Sequence, residues 1–226
     1  MQKLDEESAR VRIARRIAGM IHPGEVVNLG VGIPTMVADY LKPGTAVLHA
    51  ENGMLGMGPK PETGQGDPDL INAGRQRVTE LPGCCYFDSA MSFAIIRGGH
   101  LETTVLGTLE VDIQGSIANW KFPGGGALGV GGAMDLCTGA KRVIIATTLL
   151  TKKGQSKIVG KCSLPVTAPS RADVVVTEYG VFEKRGERLA LTELARETTL
   201  EEIRSLVGAP FDVAPDLRPM DVCYDT

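Results

Sequence analysis

The 226-residue sequence is poor in aromatic side chains, 4% of the total, and that removes the stacking platforms on which single-stranded nucleic acids are bound. It also lacks an excess of charge. Lys+Arg number 24 against 27 Asp+Glu, a formal net charge of −3, so there is no basic footprint for nucleic acid or acidic lipid. Histidines number three, His22, His49 and His100, far apart and without HExxH spacing. The five cysteines, Cys84, Cys85, Cys137, Cys162 and Cys223, include no CxxC pair. A disulfide framework, a zinc ribbon and a thioredoxin-type motif are therefore poor fits, and a reduced cytoplasmic setting is expected. Cys84 and Cys85 read as buried thiols. Long apolar runs are missing too. The longest, Val143–Leu150, is interrupted by Thr147 and Thr148 and is too short to span a bilayer. At the N-terminus Asp5, Glu6 and Glu7 precede four arginines with no apolar stretch after them, unlike a signal peptide.

What is present is globular. Hydrophobic residues make up 43% and charged residues 23%, and the length suits a single domain over residues 1–226. Glycine is abundant: 28 residues, about 12% against a usual ~7%. The glycines sit in short loops beside apolar runs, the pattern of a backbone that must approach a ligand closely.

Along the chain the periodicity predicts a helix over 4–21, with Val11, Ala14, Ala18 and Ile21 on one face. A strand is expected at Glu25–Leu29, a helix from Pro34 to about Leu41, and a second strand at Thr45–Ala50. Glu51 to about Gly83 reads as one long loop. A helix follows at Phe87–Arg97 and strands at Leu101–Leu106 and Gly115–Trp120. Pro123–Gly132 is a Gly-rich loop, and Ala133–Gly139 a helical turn. Further strands are expected at 141–147, 157–161 and 172–177. A helix within 192–206 starts at Thr199, with Glu202 at the capping-box offset, and a short tail closes the chain. The strands are continuous apolar runs alternating with helices. This predicts an α/β fold with an open, mostly parallel sheet covered by helices on both faces. Ligands in such sheets bind beyond the carboxyl ends of the strands.

Two places there hold chemistry-bearing residues. Glu51-Asn52-Gly53 follows the second strand directly, in a loop with three glycines up to Gly58. The residues alone leave two readings open: a solvent-facing turn, or a nucleophile or base in a hollow kept clear by glycine. The tetrapeptide LGVG occurs twice, at 29–32 and 128–131, each before a helix start, where backbone N–H groups can bind an anion. The first, Gly30-Val31-Gly32, also invites a dinucleotide-binding reading, but Thr35 stands where that fingerprint has its third glycine and Pro34 lies inside the loop. A catalytic thiol at Cys84, Cys85 or Cys162 needs a histidine, with His100 the candidate. Lys152, Lys153 and Lys157 read as a solvated basic cluster.

EVVNLGVGIPT, ENGMLGMGP, DPDLINAG, FDSAMSFAIIRGGH, IANW, GVGGAMDL and VVVTEYGVF stand in an order that resembles the B-type (beta) subunit of family I coenzyme A transferases, from about Val11 to Met220. The acetoacetate, butyrate and 3-oxoacid types are the most similar. The resemblance implies that Glu51 is the catalytic glutamate of a ping-pong reaction. Its carboxylate attacks an acyl-CoA thioester, passes through an acyl-glutamyl anhydride to a glutamyl-CoA thioester, and hands CoA to a second carboxylate. Coenzyme A is then substrate and covalent intermediate, and no cofactor is implied. A carboxylate is ionised at pH 7 and needs no general base. Oxyanion donors are worth ~2.7–4 kcal/mol each; the candidates are Gly30, Val31 and Gly32, and, ahead of them, Gly131 and Gly132, with Gly53 at the substrate and Asn52 holding a substrate carboxylate or Glu51 itself. The Gly-rich CoA-binding motif of the A-type (alpha) subunit is not in this sequence. An alpha-subunit partner of the CoA-transferase is therefore implied, in an α2β2 heterotetramer. Ala50 replaces a common Ser, 123–128 replace a Pro-Gly-Lys-Met run, and Leu149-Leu150-Thr151 replace a His-Thr, departures that bear on acyl specificity. An acyl-CoA hydrolase, or a non-catalytic CoA- or nucleotide-binding module on the same fold, are the alternatives.

Overall fold

The computed structural model describes residues 4–122, 124–126 and 129–222. Pro123, Ala127 and Leu128 of the second glycine loop, and Cys223, lie outside the described residues.

Helix α1 spans Glu6–Ala18. Asp5 caps it, accepting from the Ser8 amide at 2.9 Å, and Glu6 and Glu7 oppose Arg15 and Arg16 along its dipole. Its inner face is Ala9, Ile13, Ala14 and Ile17, each fully buried, a stabilisation of about 1.5–3 kcal/mol for each isoleucine. Arg16 shares that buried face, and Val11 is only half-buried, a correction to the expected stripe. The reason is Glu193, which gives Arg16 a buried partner.

Strand β1 (Glu25–Leu29) leads through the first glycine turn into α2 (Ile33–Met36), continued by a 3-10 turn over Val37–Tyr40. Then come β2 (Ala46–Ala50), β3 (Met54–Met57), β4 (Glu80–Tyr86), α3 (Ser89–Arg97), β5 (Thr103–Leu106), β6 (Glu110–Asp112) and β7 (Ile117–Ala118). The second half runs α4 (Ala133–Gly139), β8 (Arg142–Ala146), β9 (Ile158–Val159), β10 (Val174–Val176), β11 (Gly180–Arg185), β12 (Arg188–Leu194), α5 (Leu200–Leu206) and β13 (Asp212–Pro219).

Ten strands form one sheet in the order β13-β12-β11-β10-β8-β5-β1-β2-β3-β4, and β7-β6-β9 form a small second sheet. The middle five, β10-β8-β5-β1-β2, are parallel. Antiparallel pairings flank them on both sides. The parallel strands are buried on both faces except at the start of β2, where Val47 is exposed. Along β8, Val143 and Ile145 pack with Ile96 and Leu136 under α3 and α4, and with Ile203 of α5. Ile144 and Ala146 point the other way, to Ile13, Ile17 and Val37. This is why the strands read as unbroken apolar runs.

Three expectations are corrected. The stretch 51–83 is not one loop: β3 and the start of β4 lie in it. Gly56 breaks the alternation with a shift of register, and Pro82 and Gly83 hide β4, which sits at the sheet edge where proline is tolerated. The C-terminal tail is the other edge strand, β13, masked by Pro215 and Pro219. Residues 192–194 belong to β12, and the helix begins only at Leu200, with Thr199 and Glu202 forming the expected capping box.

Candidate active site

Parallel pairing of β1 and β2 sets Asn28 opposite His49, two residues before Glu51. Glu51 thus stands at the carboxyl end of β2, beside the carboxyl end of β1. It is half-buried. Asn28, wholly buried, donates from Nδ2 to Glu51 Oε2 at 3.0 Å and to the His49 carbonyl at 3.2 Å. Thr104 on β5 reaches Asn28 Oδ1 with its hydroxyl at 3.5 Å, which fixes the amide with its nitrogen toward the carboxylate.

The turn after Glu51 depends on Gly53. Its amide donates to Ala50 O at 3.0 Å and its carbonyl accepts from Phe87 at 3.0 Å, with φ +122°. A Cβ there would lie 2.1 Å from the Phe87 carbonyl oxygen, so only glycine fits.

The two glycine turns differ in where they stand. Gly132 faces the glutamate: a Cβ added to it would lie 3.7 Å from Glu51 Cγ and 3.3 Å from Phe93 Cζ. Gly131, in the left-handed region at φ +53°, precedes it, and Gly132 is the N-cap of α4. The first turn is only partly available. The Gly30 amide donates to Val105 O at 2.9 Å, inside the sheet, so Gly30 is not an oxyanion donor. Thr35 closes the same turn through its hydroxyl on Gly30 O at 2.8 Å. The Val31 and Gly32 amides have no hydrogen-bond acceptor among the described residues. Asn52 does not hold the glutamate: its Nδ2 donates to Ile71 O at 2.9 Å, securing the segment between β3 and β4. Asn28 holds Glu51 instead.

Behind Asn28 lies a buried polar cluster that the sequence did not disclose. His49, 1% exposed, stacks on Phe87 with ring centroids 6.0 Å apart. Its Nδ1 is 3.4 Å from Asn28 Nδ2 and its Nε2 is 3.2 Å from Ser92 Oγ on α3. Burial pushes the imidazole pKa down to about 4. The one signal was polarity out of place: Asn and His inside the apolar runs EVVNL and AVLHA.

The thiols do not assemble a competing site. Cys84 is half-buried and Cys85 exposed, a correction to the buried pair, because β4 is an edge strand. Cys162 is hydrogen-bonded to Ser116 O, and burial pushes its thiol up to about 12. Lys157 is no solvated cation: it donates to Thr148 Oγ1 at 2.9 Å and Thr147 Oγ1 at 3.2 Å at the carboxyl end of β8. Asp135 in the first turn of α4 is paired with Arg97 Nε at 2.6 Å. Among the described residues no three His, Cys, Asp or Glu side chains gather closely enough to hold a metal ion.

Residues 10–205 match the model of the family described as coenzyme A transferase. The chain is 48% identical over 210 residues to the beta subunit of the acetate CoA-transferase of Escherichia coli K12, covering 92% of this chain and 96% of that one. It is 43% identical over 209 residues to the B-type subunit of the 3-oxoadipate CoA-transferase of Pseudomonas putida, covering 92% of this chain and 98% of that one. It is 45% identical over 219 residues to the mitochondrial succinyl-CoA:3-ketoacid coenzyme A transferase 2A of Rattus norvegicus, of whose length it spans only 42%. Among solved structures, an acyl-CoA transferase of E. coli O157:H7 superposes with a TM-score of 0.78 at 23% identity, over all of this chain and 46% of that one, a likeness of fold. Family model, relatives and architecture agree, and the chain belongs to the coenzyme A transferase family.

Proposed function

We propose that the chain is the beta subunit of a CoA-transferase in which Glu51 is the nucleophile. The observation that carries this is the setting of Glu51: its carboxylate ends a parallel strand, is held at Oε2 by a buried amide, and lies against Gly132. Oε1 has no hydrogen-bond partner among the described residues and is the oxygen free to attack.

In the proposed sequence the carboxylate oxygen adds to the thioester carbonyl of acyl-CoA. Collapse breaks the C–S bond, giving an acyl-glutamyl anhydride and CoA thiolate. The thiolate attacks the glutamyl carbonyl and expels the donor carboxylate, leaving CoA on Glu51. An acceptor carboxylate reverses both steps. No proton changes hands, which suits a site without a general base. The amides of Val31, Gly32, Gly131 and Gly132 are the candidate donors to the tetrahedral oxyanions. Closing the site to water is required, because an anhydride is as open to hydroxide as to thiolate.

We propose a short-chain acyl or 3-oxoacyl substrate, since the similar proteins are named for acetate, 3-oxoadipate and 3-ketoacids. Two of these relatives are named as subunits, which supports an alpha-subunit partner, in an α2β2 assembly. We place the protein in a reducing, cytoplasmic setting, supported by the free cysteines. Among the described residues no helix is long and apolar enough to cross a membrane.

The test is to express the chain with its alpha partner, add acetoacetyl-CoA, and map the adduct by peptide mass spectrometry. CoA is expected on the Glu51 peptide and is removed by a free carboxylate. An adduct on a cysteine, or acyl-CoA consumed without an acceptor carboxylate, would sink the reading.

A further inference from the structure

The Asn28 amide has two N–H groups, and three acceptors surround them. Glu51 Oε2 at 3.0 Å takes one; the His49 carbonyl at 3.2 Å and His49 Nδ1 at 3.4 Å share the other. An imidazole with hydrogen on Nδ1 would set an N–H against an N–H there. A bare Nδ1 avoids this and leaves the ring hydrogen on Nε2, with Ser92 Oγ at 3.2 Å as its acceptor. Phe87 stacks on the ring with 15° between the planes and holds its tilt. Asn28, His49, Ser92 and Thr104 are each at most 1% exposed, so water does not substitute for any of these bonds.

We infer that His49 is a positioning residue for transfer: the lone pair on its Nδ1 locks the Asn28 amide, and the locked amide pins Glu51 by Oε2 so that Oε1 is presented for attack. The inference rests on the reading of Glu51 as nucleophile, and goes beyond it by assigning the orientation of that carboxylate to a neutral imidazole that touches no substrate. Burial favours the uncharged ring, in keeping with this. Within the described contacts, Glu51, reached through Asn28, is the only ionisable group joined to His49.

Two measurements on the chain in complex with its alpha partner decide it. The first is the tautomer, from 15N-histidine spectra of the unmutated protein. His49 is expected to show a bare Nδ1 and a protonated Nε2 from about pH 8 down to about pH 5. A protonated Nδ1 overturns the inference. The second is kinetic. His49→Phe keeps an aromatic but loses the acceptor; kcat and the rate of CoA loading on Glu51 should fall about 10- to 100-fold, with KM for acyl-CoA within about twofold. His49→Gln can offer its amide oxygen to Asn28 and should restore most of the rate. His49→Phe should add nothing to Asn28→Ala in the double variant. Additive losses, or equal rates for the Phe and Gln variants, overturn the positioning role. Circular dichroism and co-purification with the partner identify a variant that has not folded, and the tautomer measurement does not depend on any variant. A parent enzyme without CoA on Glu51 overturns the nucleophile reading; a protonated Nδ1 overturns this inference alone.

Discussion

Asn28 and Glu51 are 23 positions apart in sequence and joined by a 3.0 Å hydrogen bond at the carboxyl ends of neighbouring parallel strands. A hydrogen bond to a charged group is worth about 1.5–3 kcal/mol. Asn28→Ala is therefore expected to lower kcat about 10- to 100-fold. Asn28→Asp should be worse near neutral pH, because it sets two carboxylates side by side. Steady-state transfer assays over a range of pH check both, and an Asp variant as active as the parent would count against the geometry.

Glycines 53 and 132 should separate fold from function. Gly53→Ala meets the Phe87 carbonyl at 2.1 Å in a backbone conformation alanine resists, and should cost at least ~2 kcal/mol of stability. Gly132 has φ −84°, open to any residue, with contacts of 3.3 Å or longer. Gly132→Ala is expected to change stability by less than ~1 kcal/mol while lowering transfer about tenfold, because its methyl enters the space before Glu51. Thermal melts and rate assays on both variants test this.

His49 also links stability to pH. The folded state holds its pKa at about 4, below the ordinary value of 6.5, so the unfolded chain takes up this proton first on acidification. Stability from this residue is intact above about pH 6.5 and is lost as pH falls toward 4, by roughly 3 kcal/mol in all. Carboxylates titrate over part of the same range. The expected result is a difference: His49→Gln should lose less stability than the parent between those limits, by urea denaturation at several pH values.

Glu193 anchors α1 to the far side of the sheet. Arg16 grips it with Nε on Oε2 and a terminal nitrogen on Oε1, both at 2.6 Å, and Arg218 adds two more bonds to Oε1, from Nε at 3.1 Å and a terminal nitrogen at 2.6 Å. Burial pushes the Glu193 pKa up, but Arg16 and Arg218 outweigh it and hold the group below the usual range. Glu193→Ala leaves Arg16 buried without its counter-ion, at a cost of about 3–5 kcal/mol. Glu193→Gln keeps part of the hydrogen bonding and should cost less. Chemical denaturation of the two variants gives the comparison.

Thiol reactivity should follow the sheet edge. Cys85 is exposed on β4, whereas burial pushes the Cys137 thiol up to about 12. Among Cys84, Cys85, Cys137 and Cys162, alkylation near neutral pH, followed by peptide mapping, should label Cys85 first and Cys137 last.

By itself the sequence determined the α/β class, the positions of the five parallel strands (though not that the strands expected at 115–120 and 157–161 belong to the small second sheet), the capping box at Thr199 and the placing of Glu51 at a strand's carboxyl end. Each of these is written locally: a run of branched apolar residues, a cap three residues from its glutamate, glycines after a strand. Tertiary structure decided the rest. The edge strands β4 and β13 carry proline and exposed side chains, and exist as strands only because a neighbour supplies their hydrogen bonds. Which asparagine serves Glu51 was not legible either. Asn52 is adjacent in sequence, yet its side chain turns to Ile71; Asn28 reaches the carboxylate because strand register, a property of two segments and of neither alone, sets it there.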